Sequence, residues 1–466
     1  MEKVYCWDKI SKEESMKLLN ELALTLENPH WAVNTEFALL DTILSMHPEI
    51  YELVRKDFRG KTSKSLGRKD APTIEQILRG ALYKEMNNLT YRDLEYAQHD
   101  SRICALFIKL DGRSPISFSV WQKYISMIKA ETLEKVMIAI NKIAQAEGLD
   151  DFSKTRQDST AIKTNIHYPT NNSLMWDCIK TFDRLLKKLC DETGGVITAR
   201  RYKKQAKKHY FKINNTKPGE KRKETFGKQL KLLRTSINQA EAALIILPSL
   251  RYADDSARVI AGEIKTLLPK AEKVYSMTHR HEILGEKVPN EDKLFSIFED
   301  HTDIIVKGSR EATFGHKINL ATGASSLIID CRILDGNPRD TRAYGGVIDR
   351  IKENYGVVPR DMATDGGFAS LENQKLARDK GIVNIVFNKI VGSLRNLTSS
   401  VNMETRLKKW RSGIEAVISN LKRGFDIFRC DWKSRAHFDA KVYWSVLAYN
   451  IRVMTNLLIG KMQPAR

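Results

Sequence analysis

The chain has 466 residues, with 77 Lys and Arg against 57 Asp and Glu, and a formal net charge of +20. That length allows two or three domains, and the positive excess suits a polyanion such as DNA or RNA, although ribosomal and membrane-surface proteins can be as basic. The cysteines form no Cys-x2-Cys pair and the longest apolar runs, such as 242–247, are short; this argues against a zinc site, a signal peptide or a bilayer span, and for reduced thiols in an intracellular setting.

Residues 1–70 read as a helical segment followed by a basic linker. Leu18, Leu19, Leu22 and Leu24, then Phe37, Leu39, Leu40, Ile43 and Leu44, have helical spacing, and 59–70 is polar, basic and rich in Gly and Ser. Residues 71–147 predict short helices. One starts at Pro72-Thr73, one is capped by Thr90, and one covers 117–129. With Arg92, Lys123 and Lys129 on them, these helices suit a helix-turn-helix-like DNA-binding domain. A plain packing or dimerisation module is the alternative.

From 148 onward strands enter. Lys154–Ile162 carries Asp158 but is a poor strand by propensity, because Lys154, Arg156 and Gln157 interrupt it. A long helical stretch follows, from His167 to about 295. It contains the densest basic cluster, Arg200, Arg201, Lys203, Lys204, Lys207 and Lys208, with Tyr202, Tyr210 and Phe211 interleaved. Such cations neutralise phosphates and such rings stack on unpaired bases; a solvated helix face is the ordinary alternative. Strands are expected at 303–306, 316–320 and 326–334, with a hairpin turn at Thr322-Gly323-Ala324.

A helix over 345–355 then feeds a strand that ends at Asp365 and runs into a Gly-Gly turn, and 381–387 is an apolar, β-branched strand. Arg411 to Lys422 predicts one amphipathic helix. At about 100° per residue, Arg411, Glu415 and Lys422 fall within about 40° of each other, beside an apolar stripe of Ile414, Val417, Ile418 and Leu421. Val442, Val446, Leu447, Ile451 and Met454 build a closing core helix.

Two Asp and one Glu, with basic residues near the Glu, are what phosphoryl transfer on nucleic acid uses, because carboxylates hold the divalent ions that activate the attacking oxygen and stabilise the leaving one. Asp330, Asp335 and Asp340 are rival carboxylates, with Asp335 placed in a turn by the following Gly-Asn-Pro.

The ordered set resembles the DDE transposases of bacterial insertion sequences, whose catalytic core is RNase H-like. Arg411, Glu415 and Lys422 match that family's Tyr-x2-Arg-x3-Glu-x6-Lys signature, with Lys408 at the Tyr position. Asp158-Ser-Thr with 165–170 resembles the block of the first Asp, and 364–370 the block of the second, so the resemblance covers most of 70–455. It implies an α/β fold with an RNase H-like mixed-sheet core over 148–455, interrupted by a basic helical insertion at about 167–295 and preceded by a helical N-terminal domain.

The implied reaction is metal-dependent cleavage at transposon ends followed by strand transfer into target DNA. Asp158, Asp365 and Glu415 would hold two Mg2+ (or Mn2+) ions. Arg411 and Lys422 would orient the Glu or a phosphate. Lys317 resembles the family's basic residue on the second core strand; it would bind phosphate or be an ordinary strand-edge lysine. His167 would be a ligand or base, or a structural or DNA-contacting residue.

The resemblance also implies terminal inverted repeats and target DNA as partners, a homodimer in the DNA complex, and a bacterial, nucleoid-associated cytoplasmic location. Gln157, where an apolar residue is usual, and Lys408 depart from the family's pattern. A non-catalytic DNA-binding repressor derived from a transposase, and a structure-selective nuclease on the same core, are the other readings.

Overall fold

Capped starts and one apolar face apiece explain the helices that open the fold. In a computed structural model that describes residues 31, 34–58, 71–110, 112–249, 255–306, 311–390 and 392–462, Asn34 caps α1 (Thr35–Met46) by accepting from the Phe37 N–H, and α2 (Glu49–Arg55) follows. The leucines at 18–24 and the basic linker at 59–70 lie outside the described residues. Capping boxes open α3 (Ile74–Met86), with Thr73 and Gln76, and α4 (Tyr91–Asp100), with Thr90 and Asp93. Each box satisfies two backbone N–H groups that a helix start otherwise leaves unpaired.

Next come α5 (Arg102–Ile108), α6 (Phe118–Ile125) and α7 (Ala130–Ala146). The 71–147 stretch, expected as a domain of its own, shares a hydrophobic core with the end of the chain. Leu78, Trp121 and Ile140 belong to the same buried cluster as Trp444, Leu447 and Ile451. The first strand, β1 (Lys154–Thr164), follows α7.

After Lys163 the chain enters a second compact unit, 164–315. It is built from α8 (Asn171–Glu192), α9 (Lys203–Asn214), α10 (Glu220–Ile246) and α11 (Asp255–Thr278). Phe182, Leu186, Phe226, Leu233 and Ile264 form part of its own apolar core. Its short strand β2 (Asp303–Ile305) pairs antiparallel with the first residues of β3 (Thr313–Thr322), Asp303 opposite Gly315.

From His316 the chain is again part of the first unit. β3 continues into β4 (Ile328–Leu334) through a turn closed by the Gly323 N–H on the Leu327 carbonyl at 2.9 Å. Then come α12 (Tyr344–Tyr355), β5 (Asp361–Asp365), α13 (Leu371–Asp379) and β6 (Asn384–Asn388). The chain finishes with α14 (Val401–Arg411), α15 (Gly413–Gly424), β7 (Arg429–Cys430) and α16 (Arg435–Met462).

Within the sheet the order runs β3-β1-β5-β6, with β4 on β3 and β7 on β1. β1, β5 and β6 are parallel while β3 and β4 are antiparallel. The fold is therefore mixed α/β with a helical region, as expected. Among the described residues no helix is long and apolar enough to cross a membrane.

Candidate active site

Strand register brings the two aspartates together. β1 and β5 run parallel with Gln157 opposite Thr364, so Asp158 and Asp365 stand one step further on, on neighbouring strands that lie about 4.8 Å apart in any sheet. The Asp365 strand ends there because Gly366 starts a tight turn. A Cβ at 366 would strike the Asn388 and Lys389 carbonyls, so only glycine fits.

Buried polar residues hold β1 in that place. Gln157 is fully buried; its Nε2 donates to Asn319 Oδ1 at 2.9 Å and to the Ala343 carbonyl at 3.1 Å. Asn319 in turn donates to Ser159 Oγ at 3.0 Å. Arg156 donates from Nε to Thr322, from Nη2 to Ser326 and from Nη1 to the Trp410 carbonyl at 2.8 Å. The residues that weaken β1 by propensity are thus the ones that tie it to its surroundings. Sequence reasoning missed Arg156 and Gln157 as positioning residues. Their signal was polar side chains inside a strand of the core.

The helix expected from Arg411 to Lys422 is two helices. α14 ends at Arg411 and α15 starts at Gly413, with Ser412 between them. Arg156 explains the break: it takes the Trp410 carbonyl, which a continuous helix would give to residue 414. Its guanidinium also occupies the space beside Gly413 that a Cβ would need. In α15, Ile414, Val417 and Leu421 are buried, and this apolar face leaves Glu415 on the outside of the first turn.

Arg411 collects the carboxylates. Its Nη2 donates to Asp158 Oδ2 at 2.7 Å and lies 4.0 Å from Asp365 Oδ2, while its Nη1 donates to Glu415 Oε1 at 2.8 Å. The arginine is buried, whereas the side chains of Asp158, Asp365 and Glu415 are 17%, 44% and 65% exposed. The cluster therefore opens to solvent on its acidic side. Asp158 Oδ1 also accepts from the Ser159 N–H at 2.7 Å.

Oxygen-only carboxylate donors fit hard divalent cations such as Mg2+ or Mn2+. Three of them already converge on one cation, the guanidinium. Among the described residues, however, no three acidic, His or Cys side chains stand close enough together to share a single ion.

Other expected residues fall elsewhere. The Lys422 ammonium lies 5.9 Å from the Phe428 ring centroid, two turns along α15 from Glu415. Lys408 pairs with Glu404 at 2.6 Å.

Lys317 does not lie on the surface. It is buried, donates to the Pro338 carbonyl at 2.7 Å, and pairs with Asp340 at 2.8 Å. Asp330 is buried in a two-pronged pair with Arg350, both bonds 2.7 Å. Asp335 is exposed and pairs with Arg435 at 2.8 Å. His167 is in the second unit, its Nε2 3.3 Å from Asp177 Oδ2.

The basic cluster of the second unit is a helix start and its outer face. Asp183 accepts from the N–H groups of Tyr202 and Lys203 at 3.2 and 2.7 Å, which starts α9. Ala206 and Ile213 are the buried positions of α9. Lys204, Lys207, Lys208 and Phe211 fall within about 100° of one another on the opposite face. Arg200, Arg201, Lys203 and those three lysines are all exposed. Phe211 is half exposed, with the Lys207 ammonium 5.8 Å from its ring centroid. Tyr202 and Tyr210 are only partly exposed.

Residues 299–451 match the family model described as a transposase DDE domain. That span holds Asp365, Arg411, Glu415 and Lys422, and it begins after Asp158. No curated protein and no solved structure matches the chain.

Proposed function

We propose that this chain, which carries a transposase DDE domain, binds the ends of a mobile DNA element, cuts them and joins the freed 3′-hydroxyl to target DNA. The observation that carries this reading is the meeting of Asp158, Asp365 and Glu415, from β1, β5 and α15, at the single guanidinium of Arg411. Residues so far apart in sequence converge with oxygen donors only, and their more exposed sides face solvent.

Asp158, Asp365 and Glu415 would hold two Mg2+ or Mn2+ ions. Bound there, such ions make a water or a 3′-hydroxyl more acidic and offset charge on the leaving oxygen. The chain's own residues do the rest. Gln157 and Arg156 hold the Asp158 strand and the Arg411–Glu415 junction in register. Arg411, once released from its carboxylates, would bond a phosphate in two-pronged fashion, which suits a planar guanidinium better than an ammonium. The exposed cations of α9 and the turn before it would neutralise backbone phosphates without reading sequence.

On this reading the partners are the element's terminal repeats and target DNA, the protein acts as a homodimer on paired ends, and it works beside the nucleoid in a bacterial cytoplasm. The test is incubation of the purified protein with its own element's end duplex and Mg2+ or Mn2+, followed by gel analysis. Cleaved and joined products are expected. Binding without cleavage would favour a repressor, and cleavage without joining a nuclease.

A further inference from the structure

We infer that Arg411 is the resident counter-cation of the carboxylate cluster and must leave it when divalent ions bind, so that ion binding is coupled to capture of a DNA phosphate by the same guanidinium. The inference rests on the reading of Asp158, Asp365 and Glu415 as the ion-holding residues.

Geometry supports it first. The two terminal nitrogens of Arg411 bond Asp158 Oδ2 and Glu415 Oε1 at 2.7 and 2.8 Å, and Asp365 Oδ2 is 4.0 Å away. Those oxygens would have to turn to ions at about 2.0–2.1 Å in a Mg2+ site. A guanidinium at hydrogen-bond distance from the same atoms competes for the same lone pairs, and its positive charge repels the incoming ions.

The second support is what else holds the arginine. Its Nε is buried and has no hydrogen-bond partner, so the hydrogen bonds of the head group go to carboxylates. A buried head group that bonds anions keeps its charge compensated only if another anion takes their place. A phosphodiester offers two oxygens in the spacing a guanidinium fork matches. Because coupling between two sites is reciprocal, DNA that draws Arg411 away raises ion affinity, and bound ions raise phosphate affinity. The cluster would then be fully assembled only on DNA.

The opposite role is a fixed clamp that keeps three like charges together for the ions. The two roles differ in the sign of one measurement. Mn2+ is titrated into the DNA-free full-length protein and free Mn2+ is read by electron paramagnetic resonance, for wild type, Arg411→Gln and Arg411→Lys. A counter-cation predicts that Arg411→Gln binds Mn2+ about tenfold or more tightly than wild type, within the usual range of coupling between sites, while Arg411→Lys stays near wild type. Equal or weaker binding by Arg411→Gln overturns the inference.

Adding Asp158→Asn or Glu415→Gln to Arg411→Gln should abolish the tight binding. If it survives both, the ions sit elsewhere, and the carboxylate assignment fails together with the inference. Should Arg411→Gln not fold, wild type decides alone. Its Mn2+ affinity should rise when a short duplex is added, after correction for Mn2+ held by the duplex itself, and an unchanged affinity overturns the coupling.

Discussion

The guanidinium of Arg156 lies against Gly413, where the Cβ of any other residue would collide with it. The same guanidinium bonds the Trp410 carbonyl at 2.8 Å, so this arrangement sets the break between α14 and α15, with Arg411 on one side and Glu415 on the other. Gly413→Ala should lower stability by about 1–3 kcal/mol, as overpacking does. It should also slow DNA cleavage by about 100-fold through misplacement of the two residues. Combined with Arg156→Ala, the extra cost of Gly413→Ala should shrink, because the collision is gone. Additive losses in thermal melts and gel assays would show that the two residues do not act together.

The rival aspartates separate by where their loss is felt. Asp330→Asn breaks a buried two-pronged pair with Arg350 and should cost about 3–5 kcal/mol of stability. Asp335 is exposed, and Asp335→Asn should change stability by less than about 0.5 kcal/mol and leave cleavage near wild type. Asp158→Asn, Asp365→Asn and Glu415→Gln should each abolish cleavage and joining while end binding persists. Near wild-type cutting by Glu415→Gln in a time course would remove Glu415 from the active site.

Glu85 should be a source of acid sensitivity in the helical part of the first unit. Glu85 is buried between Lys84 Nζ at 2.8 Å and Lys441 Nζ at 2.5 Å. Burial by itself raises the carboxyl's pKa, but the Lys441 and Lys84 ammonium groups outweigh it and draw it from the ordinary 4.5 to about 2. A pKa depressed by folding contributes stability above the unfolded value and loses it as the pH falls through the folded one. This contribution is therefore complete above about pH 4.5 and fades toward pH 2. Urea midpoints measured across that window should fall more steeply for wild type than for Glu85→Gln, which at neutral pH should be less stable by about 3–5 kcal/mol. Parallel curves would count against the ionised triad.

Salt dependence of DNA binding should distinguish the exposed cations of the second unit from the buried Lys317. Replacing Arg200, Arg201, Lys203, Lys204, Lys207 and Lys208 by Ala should make the slope of log K against log salt shallower, by about 0.9 for each phosphate that is no longer neutralised. Lys317→Ala should leave that slope alone and lower the melting temperature, since Lys317 is buried against Asp340 and the Pro338 carbonyl. An unchanged slope in the sixfold variant would assign the α9 face to solvent.

Sequence alone determined what short-range chemistry can encode. The capping pairs Thr73–Gln76 and Thr90–Asp93 and the apolar stripe of Ile414, Val417 and Leu421 all act within a few residues. So the mixed α/β class and the order of the three carboxylates were legible in it. Tertiary structure alone decided which groups share a charge. Asp158 meets Arg411 because β1 lies beside β5 and Arg156 breaks the helix at Ser412. Lys317 turned inward because Asp340 and Pro338 are there to receive it. The partners of Arg156 and Gln157 come from Thr322, Ser326, Trp410 and Asn319. A buried polar group is stable only when such distant partners arrive, and no local pattern in β1 announces them.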